Sequence, residues 1–296
     1  MRRIAGILAI GLVTQIVSCK GPGEQEQIML GTLLLKACQN SNTQLAQLLI
    51  KDGADVNTKD VEGKTALMLA ASTPRGMNMP LTSLLLEKGA DINARDKSGK
   101  TALMLAFDKD YLSVVWLLVY KGADANVANE KGETPLMAFM ERMEPTAHIA
   151  LTLLDRGANV NLKAKDGKTA LIALASNSNI HKPMVDAISM LIHRGADVNA
   201  RDNSGKTALM KAAEKGSAEA TKLLLDKNVE ADAKDNDGKT ALLIALERGR
   251  FDVAEILVNG GVDVNVKDKT GKSPLKQMNE VTAKFREFLL KHGAHE

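Results

Sequence analysis

From residue 29 onward, apolar and polar positions come in blocks that recur along the chain. One block reads Thr65-Ala66-Leu67-Met68-Leu69-Ala70-Ala71. Threonine is a good N-cap, and the small apolar face of Leu67, Leu69, Ala70 and Ala71 behind it predicts a short helix. A second apolar run follows, of the kind seen in Leu45-Ala46-Gln47-Leu48-Leu49-Ile50, and predicts a second helix. Gly53 then ends that helix, since glycine enters the left-handed region at little cost. The stretch to the next threonine is polar and rich in Asp, Asn and Gly, which predicts a turn or finger.

Two strings mark the period. The first is Gly-Lys-Thr or a variant, ending at Thr65, Thr101, Thr134, Thr169, Thr207, Thr240 and Ser273, with a degenerate copy at Gly31-Thr32. The steps between these positions are 33, 36, 33, 35, 38, 33 and 33 residues. The second is Gly-Ala-Asp-Val-Asn or a variant, starting at Gly53, Gly89, Gly122, Gly157 and Gly195, with weaker copies at Asn228 and Gly261. From the start of each second string to the next Thr or Ser is always 12 residues, whereas Thr to the following second string ranges from 20 to 26. All insertions therefore fall between the first cap and the end of the second helix. Proline places them in the inter-helix turns near 72–80, 144–145 and 177–183, which are candidates for partner contacts.

A period of 33 marked by these two strings resembles the ankyrin repeat, over roughly residues 29–294. The resemblance implies an all-α solenoid of about eight helix-turn-helix repeats with β-hairpin fingers, acting as a protein-binding module. The chain departs from the family pattern in places. Pro follows the cap only at Pro135 and Pro274. The family histidine is replaced by Met68, Met104, Met137, Ile172, Met210, Leu243 and Lys276. The His–Thr hydrogen bonds that brace such turns are therefore missing, and methionine packing is expected to substitute in part.

Ahead of the repeats stands a different pattern. Arg2 and Arg3 precede a mostly apolar run from Ile4 to Val17, too short to span a bilayer comfortably and suited to a signal peptide. Ile16-Val17-Ser18-Cys19 resembles the lipobox of bacterial lipoproteins. That likeness implies a signal peptide over 1–18, removal before Cys19, and acyl chains on Cys19 that anchor the chain to a membrane outside the cytoplasm. Lys20, in place of Asp, favours the outer membrane by analogy with enteric bacteria. A plain secretory signal or an uncleaved anchor is the alternative. Residues 19–28 are expected to be the lipidated cysteine and a flexible tether, and 29–296 the repeat domain.

Composition narrows the function. The net charge is +3, and without residues 1–18 it falls to 37 bases against 36 acids, no footprint for nucleic acid. The aromatic content is 3%, so packing must rest on Leu, Ala, Ile, Val and Met. With Cys19 committed to lipid, Cys38 is expected to be a single buried thiol.

The search for chemistry returns little. Gly-Lys-Thr ends a phosphate-binding loop only if a glycine stands five residues earlier, and here those positions hold Thr58, Ala94, Leu162, Ala200 and Ala233. No nucleotide or other cofactor is implied. Of His148, His181, His193, His292 and His295, only the last two share a metal-like spacing, on either side of a helix-breaking glycine; no metal site is expected. Acidic residues recur in every finger, which argues for structure, since a catalytic pair needs one special site. No catalytic residue is assigned and the chain is read as a non-enzyme.

Two surfaces remain as candidates. One is a double row of basic finger residues: Lys59, Arg95, Lys163, Arg201 and Lys234, and beside them Lys64, Lys100, Lys168, Lys206 and Lys239. The family resemblance puts both rows on the concave face, as a groove for an acidic partner, with Asp60, Asp96, Asp202, Asp235 and Asp268 partly neutralising them. Lysine common to ordinary repeats is the plainer account. The other surface is apolar. Trp116 and Leu151 occupy an outward site on the second helix in consecutive repeats, with Tyr120 one turn after Trp116. Local packing of the indole is its plainer account. Two function classes stay open. One is an envelope-anchored module with a protein partner of unknown identity. The other is a structural or protective envelope component that self-associates.

Overall fold

The computed structural model describes residues 22–73, 78–141, 147–177, 182–227, 229–277 and 283–295. Within these the chain forms two compact units, one ending at Asp124 and one starting at Ala125. The first contains α1 (Pro22–Gln39), α2 (Thr43–Lys51), α3 (Ala66–Ser72), α4 (Met79–Glu87), α5 (Ala102–Asp108) and α6 (Leu112–Tyr120). The second contains α7 (Pro135–Met140), α8 (Ala147–Asp155), α9 (Ala170–Ala175), α10 (Lys182–His193), α11 (Ala208–Lys215), α12 (Ala218–Leu225), α13 (Ala241–Glu247) and α14 (Phe251–Asn259), then a 3-10 turn (Leu275–Gln277) and α15 (Ala283–Lys291). From α3 to α14 each repeat is a pair of helices, the second as long as the first or longer, followed by a finger.

The caps sit where the sequence puts them. Thr65, Thr101, Thr134, Thr169, Thr207 and Thr240 are extended in backbone, almost fully buried, and accept through their hydroxyls from the amide three residues on. Thr32 is an exception. It lies inside α1, and its hydroxyl donates to the Ile28 carbonyl at 2.8 Å instead of capping a helix. Because α1 begins at Pro22, residues 22–28 are helical. The expected flexible tether is corrected over that stretch.

Within each unit first helices stack on one another, α3 between α1 and α5 and α9 between α7 and α11, which explains their composition. α11 packs against both α9 and α13. Every residue of α9 is buried, and only small or slender side chains suit such close stacking. Methionine takes the place of the family histidine physically as well as in sequence. Met68 is fully buried and its Sδ accepts from the Thr65 amide at 3.4 Å.

The fingers close as tight turns rather than extended hairpins, with one isolated antiparallel bridge, Lys59 to Thr65, among the described residues. Their acids serve the turn itself. Asp60 Oδ1 accepts from the amides of Glu62 and Lys64 at 2.9 and 2.8 Å. Asp96, Asp202, Asp235 and Asp268 repeat this pattern, as does Asn129. The repeated acids are thus Asx-turn formers.

Cys38 is fully buried in α1, and burial pushes its thiol up to about 12. A thiol held protonated and out of solvent is a poor nucleophile. In a Cys19→Ala chain, which leaves Cys38 as the single thiol, a thiol reagent should modify the native protein far more slowly than the urea-unfolded protein. Equal rates would contradict the burial.

Candidate interaction surface

Most side chains of the two basic rows are tied down, by two separate devices. In the row nearer the finger base, the side chains brace the backbone of the following finger. Lys59 Nζ donates to the Arg95 carbonyl at 3.1 Å. In the second unit Lys163 donates to Arg201 O at 3.2 Å, Arg201 to Lys234 O at 2.7 Å, and Lys234 to Lys267 O at 3.2 Å. These cations cover carbonyl groups along the stack, a structural task.

In the second row four lysines pair with acid. Lys100 meets Asp108 at 2.5 Å, Lys206 meets Glu214 at 3.0 Å and Lys239 meets Glu247 at 2.7 Å. Each pair joins a finger to the end of the first helix eight residues on. Lys168 has no acid at that spacing and turns to Asp166 at 2.8 Å and Glu141 at 4.0 Å. The i, i+8 acids were a readable signal that the cationic-groove reading passed over.

These pairs shape a cleft of about 220 Å³ in the second unit, lined by Lys206, Glu214, Asp235, Asp237, Lys239, Ile244, Glu247 and Arg248. Three bases against four acids give the lining a formal charge of −1 (3 − 4). At this cleft the groove is a mosaic of both signs, not a cationic trough. Arg248 reaches Glu214 at 2.8 Å, and Lys211 reaches the buried Asp202 at 3.1 Å.

Burial alone would raise the Asp202 carboxyl. Hydrogen bonds from Ser204, the Lys206 amide and Lys211 outweigh it and hold the group below its ordinary value. Glu214 behaves alike, with burial outweighed by Lys206, Lys211 and Arg248. Both groups therefore bind their protons less readily in the fold than in the unfolded chain. Their stabilisation is complete above the unfolded values, about pH 4, and is lost as pH falls through the folded ones. The urea midpoint should fall from pH 5 to pH 3, and less steeply in Glu214→Gln. An unchanged slope in that variant would contradict the role of the pair.

Of the apolar candidates, Trp116 and Tyr120 lie on α6 in the first unit. Trp116 and Tyr120 stack with ring centroids 5.1 Å apart and planes 11° apart. They are 48% and 54% exposed, so about half of each ring faces outward while the two pack on one another. Leu112, one turn earlier and 40% exposed, extends the stripe and was missed in sequence. Leu151 lies on α8 of the second unit and is half-buried.

The two tail histidines turn to local partners. His292 Nδ1 lies 2.8 Å from the Phe288 carbonyl, and His295 donates its amide to Asn265. No group of three or more His, Cys, Asp or Glu among the described residues is placed to hold a metal, and none of the described helices is long and apolar enough to cross a membrane. Cys19, His181, the side chain of His148, residue 228 and most of the three insertion turns lie outside the described residues.

Comparison with known proteins settles the repeat family. The family model described as "Ankyrin repeats (3 copies)" matches residues 8–96, 34–129, 109–202 and 180–268. No curated protein sequence matches. Among solved structures the chain is similar to the ankyrin repeat domain of Bcl-3, described as a unique member of the IkappaB protein family. Sequence identity is 27% and the TM-score 0.64, over 78% of this chain and 99% of that one. As many as 611 solved chains match, so the likeness identifies a fold and not a partner. The helix pairs, the buried threonine caps and the matches over 8–268 agree: this chain is an ankyrin-repeat solenoid and belongs to the ankyrin-repeat family.

Proposed function

We propose that the chain is a lipid-anchored interaction module of the bacterial envelope, held by acyl chains on Cys19 and gripping a protein partner along its finger and first-helix face. Ankyrin repeats are in general non-enzymatic modules that bind proteins. The observation that carries the anchor is Ile16-Val17-Ser18-Cys19 behind Arg2-Arg3 and the apolar run to Val17. The start of α1 at Pro22 supports a short leash, because three residues reach at most about 11 Å. The repeats would work close to the membrane surface.

The grip rests on rigidity. Hydrogen bonds and ion pairs already hold most of the basic finger side chains, so little side-chain entropy is lost on binding. The mosaic charge of the cleft favours a partner carrying both signs over a strongly acidic one, and buried complementary pairs set specificity more than affinity. The test is cross-linking of the full chain in its native membranes. One stoichiometric protein partner is expected, lost in the Lys206→Glu, Lys239→Glu double variant whose helical signal is retained. Self-assembly with no second protein would favour the structural-component reading. Capture unchanged by the charge reversals would remove the cleft from the site.

A further inference from the structure

We infer that the Leu112–Trp116–Tyr120 stripe on α6 is a second membrane contact, seating the first unit on the lipid surface at the headgroup boundary. The inference rests on the lipid-anchor reading above. The three side chains stand four residues apart, so they share one helix face, and they are 40%, 48% and 54% exposed. The remaining face of α6 is buried through Val114, Val115, Leu117, Leu118 and Val119, so the core of the unit is packed from the other side of the helix.

Two arguments select lipid as the occupant. The first is area. Three half-exposed side chains of this size offer roughly 300 Å², against about 800 Å² per partner in a stable protein interface. A second copy docking here alone would not hold. A contact of that size does suffice for a chain already tethered, because the anchor raises its effective concentration at the surface. The second is chemistry. Trp and Tyr carry an apolar ring with a polar edge, the residues enriched at membrane–water boundaries. Exposed Lys109 and Lys121 flank the helix at its two ends, with Asp110 beside the first. An apolar stripe edged by lysine suits a surface of acyl chains and anionic headgroups.

Trp116 is the chain's one tryptophan, so its fluorescence reads the patch directly. The lipidated full-length chain is reconstituted into phosphatidylethanolamine–phosphatidylglycerol vesicles, with and without bromine near the acyl carbonyls. Flotation reads the anchor and emission reads the patch. The inference expects flotation together with a shift to shorter wavelength and loss of emission to bromine. In Leu112→Ser, Tyr120→Ser the chain still floats but the shift and the bromine effect diminish. A chain that floats with water-exposed, unquenched emission overturns the inference and leaves the anchor standing. A chain that does not float overturns both. A shift that grows with protein concentration in the absence of lipid assigns the stripe to a second copy and overturns it as well.

Discussion

Replacing Gly167 with alanine should cost the fold about 3 to 4 kcal/mol, while the same change at Gly271 should cost only about 1 to 2. Both glycines hold finger turns in the left-handed region, at φ +82 and +77. Alanine pays a similar backbone penalty at each. The surroundings differ. A Cβ on Gly167 would lie 2.6 Å from the Asn203 amide nitrogen and 2.9 Å from the Asp202 carbonyl carbon. The next finger would have to withdraw, and its Asn203 amide donates to the Asp166 carbonyl at 2.8 Å. At Gly271, in the last finger, a Cβ meets nothing within 4 Å. Urea unfolding of the two variants separates stacking from backbone strain. Equal losses would mean that the close approach of consecutive fingers contributes nothing.

The second large effect lies in the asparagine that ends each Gly-Ala-Asp-Val-Asn string. Asn161 donates through Nδ2 to the Gly195 carbonyl and accepts on Oδ1 from the Asp197 amide, both at 2.8 Å. Asn57, Asn126 and Asn265 make the same two-bond bridge to the following repeat. Asn161→Ala should destabilise by about 2 kcal/mol, the worth of two such bonds. At Asp232 the bridge is half made. It accepts from the Asp263 amide at 2.9 Å, but a carboxylate has no hydrogen to offer a carbonyl. Asp232→Asn should therefore stabilise by about 1 kcal/mol. A loss on that substitution, measured by the urea midpoint, would contradict the account of the bridge.

That bridge shows why part of the structure was legible and part was not. The constant 12-residue spacing from glycine to threonine told that the finger tolerates no insertion. The reason is a contact with the next repeat some 28 to 36 residues away, which no local pattern displays. Threonine caps and helix-ending glycines could be read because their causes lie within one turn. Thr32 misled because the cap string survived without its context: α1 runs through it from Pro22. The basic rows were legible only in part. Charge type is written in the sequence, but the bond from Lys163 to the Arg201 carbonyl depends on how fingers stack. The Lys206–Glu214 and Lys239–Glu247 pairs were visible as an eight-residue spacing, though that spacing has meaning only once the finger folds back on the helix. On α6 the stripe was half read, since Leu112 lies outside the single outward position compared across repeats.

The claim that these repeats work from a lipid anchor is tested most directly by fatty-acid labelling of the full-length chain in bacterial cells. Beside it stands Cys19→Ala, with membrane fractions separated by flotation. The account predicts label on the wild-type chain and flotation with membranes, and neither in the variant. A Cys19→Ala chain that still carried label and still floated would contradict it.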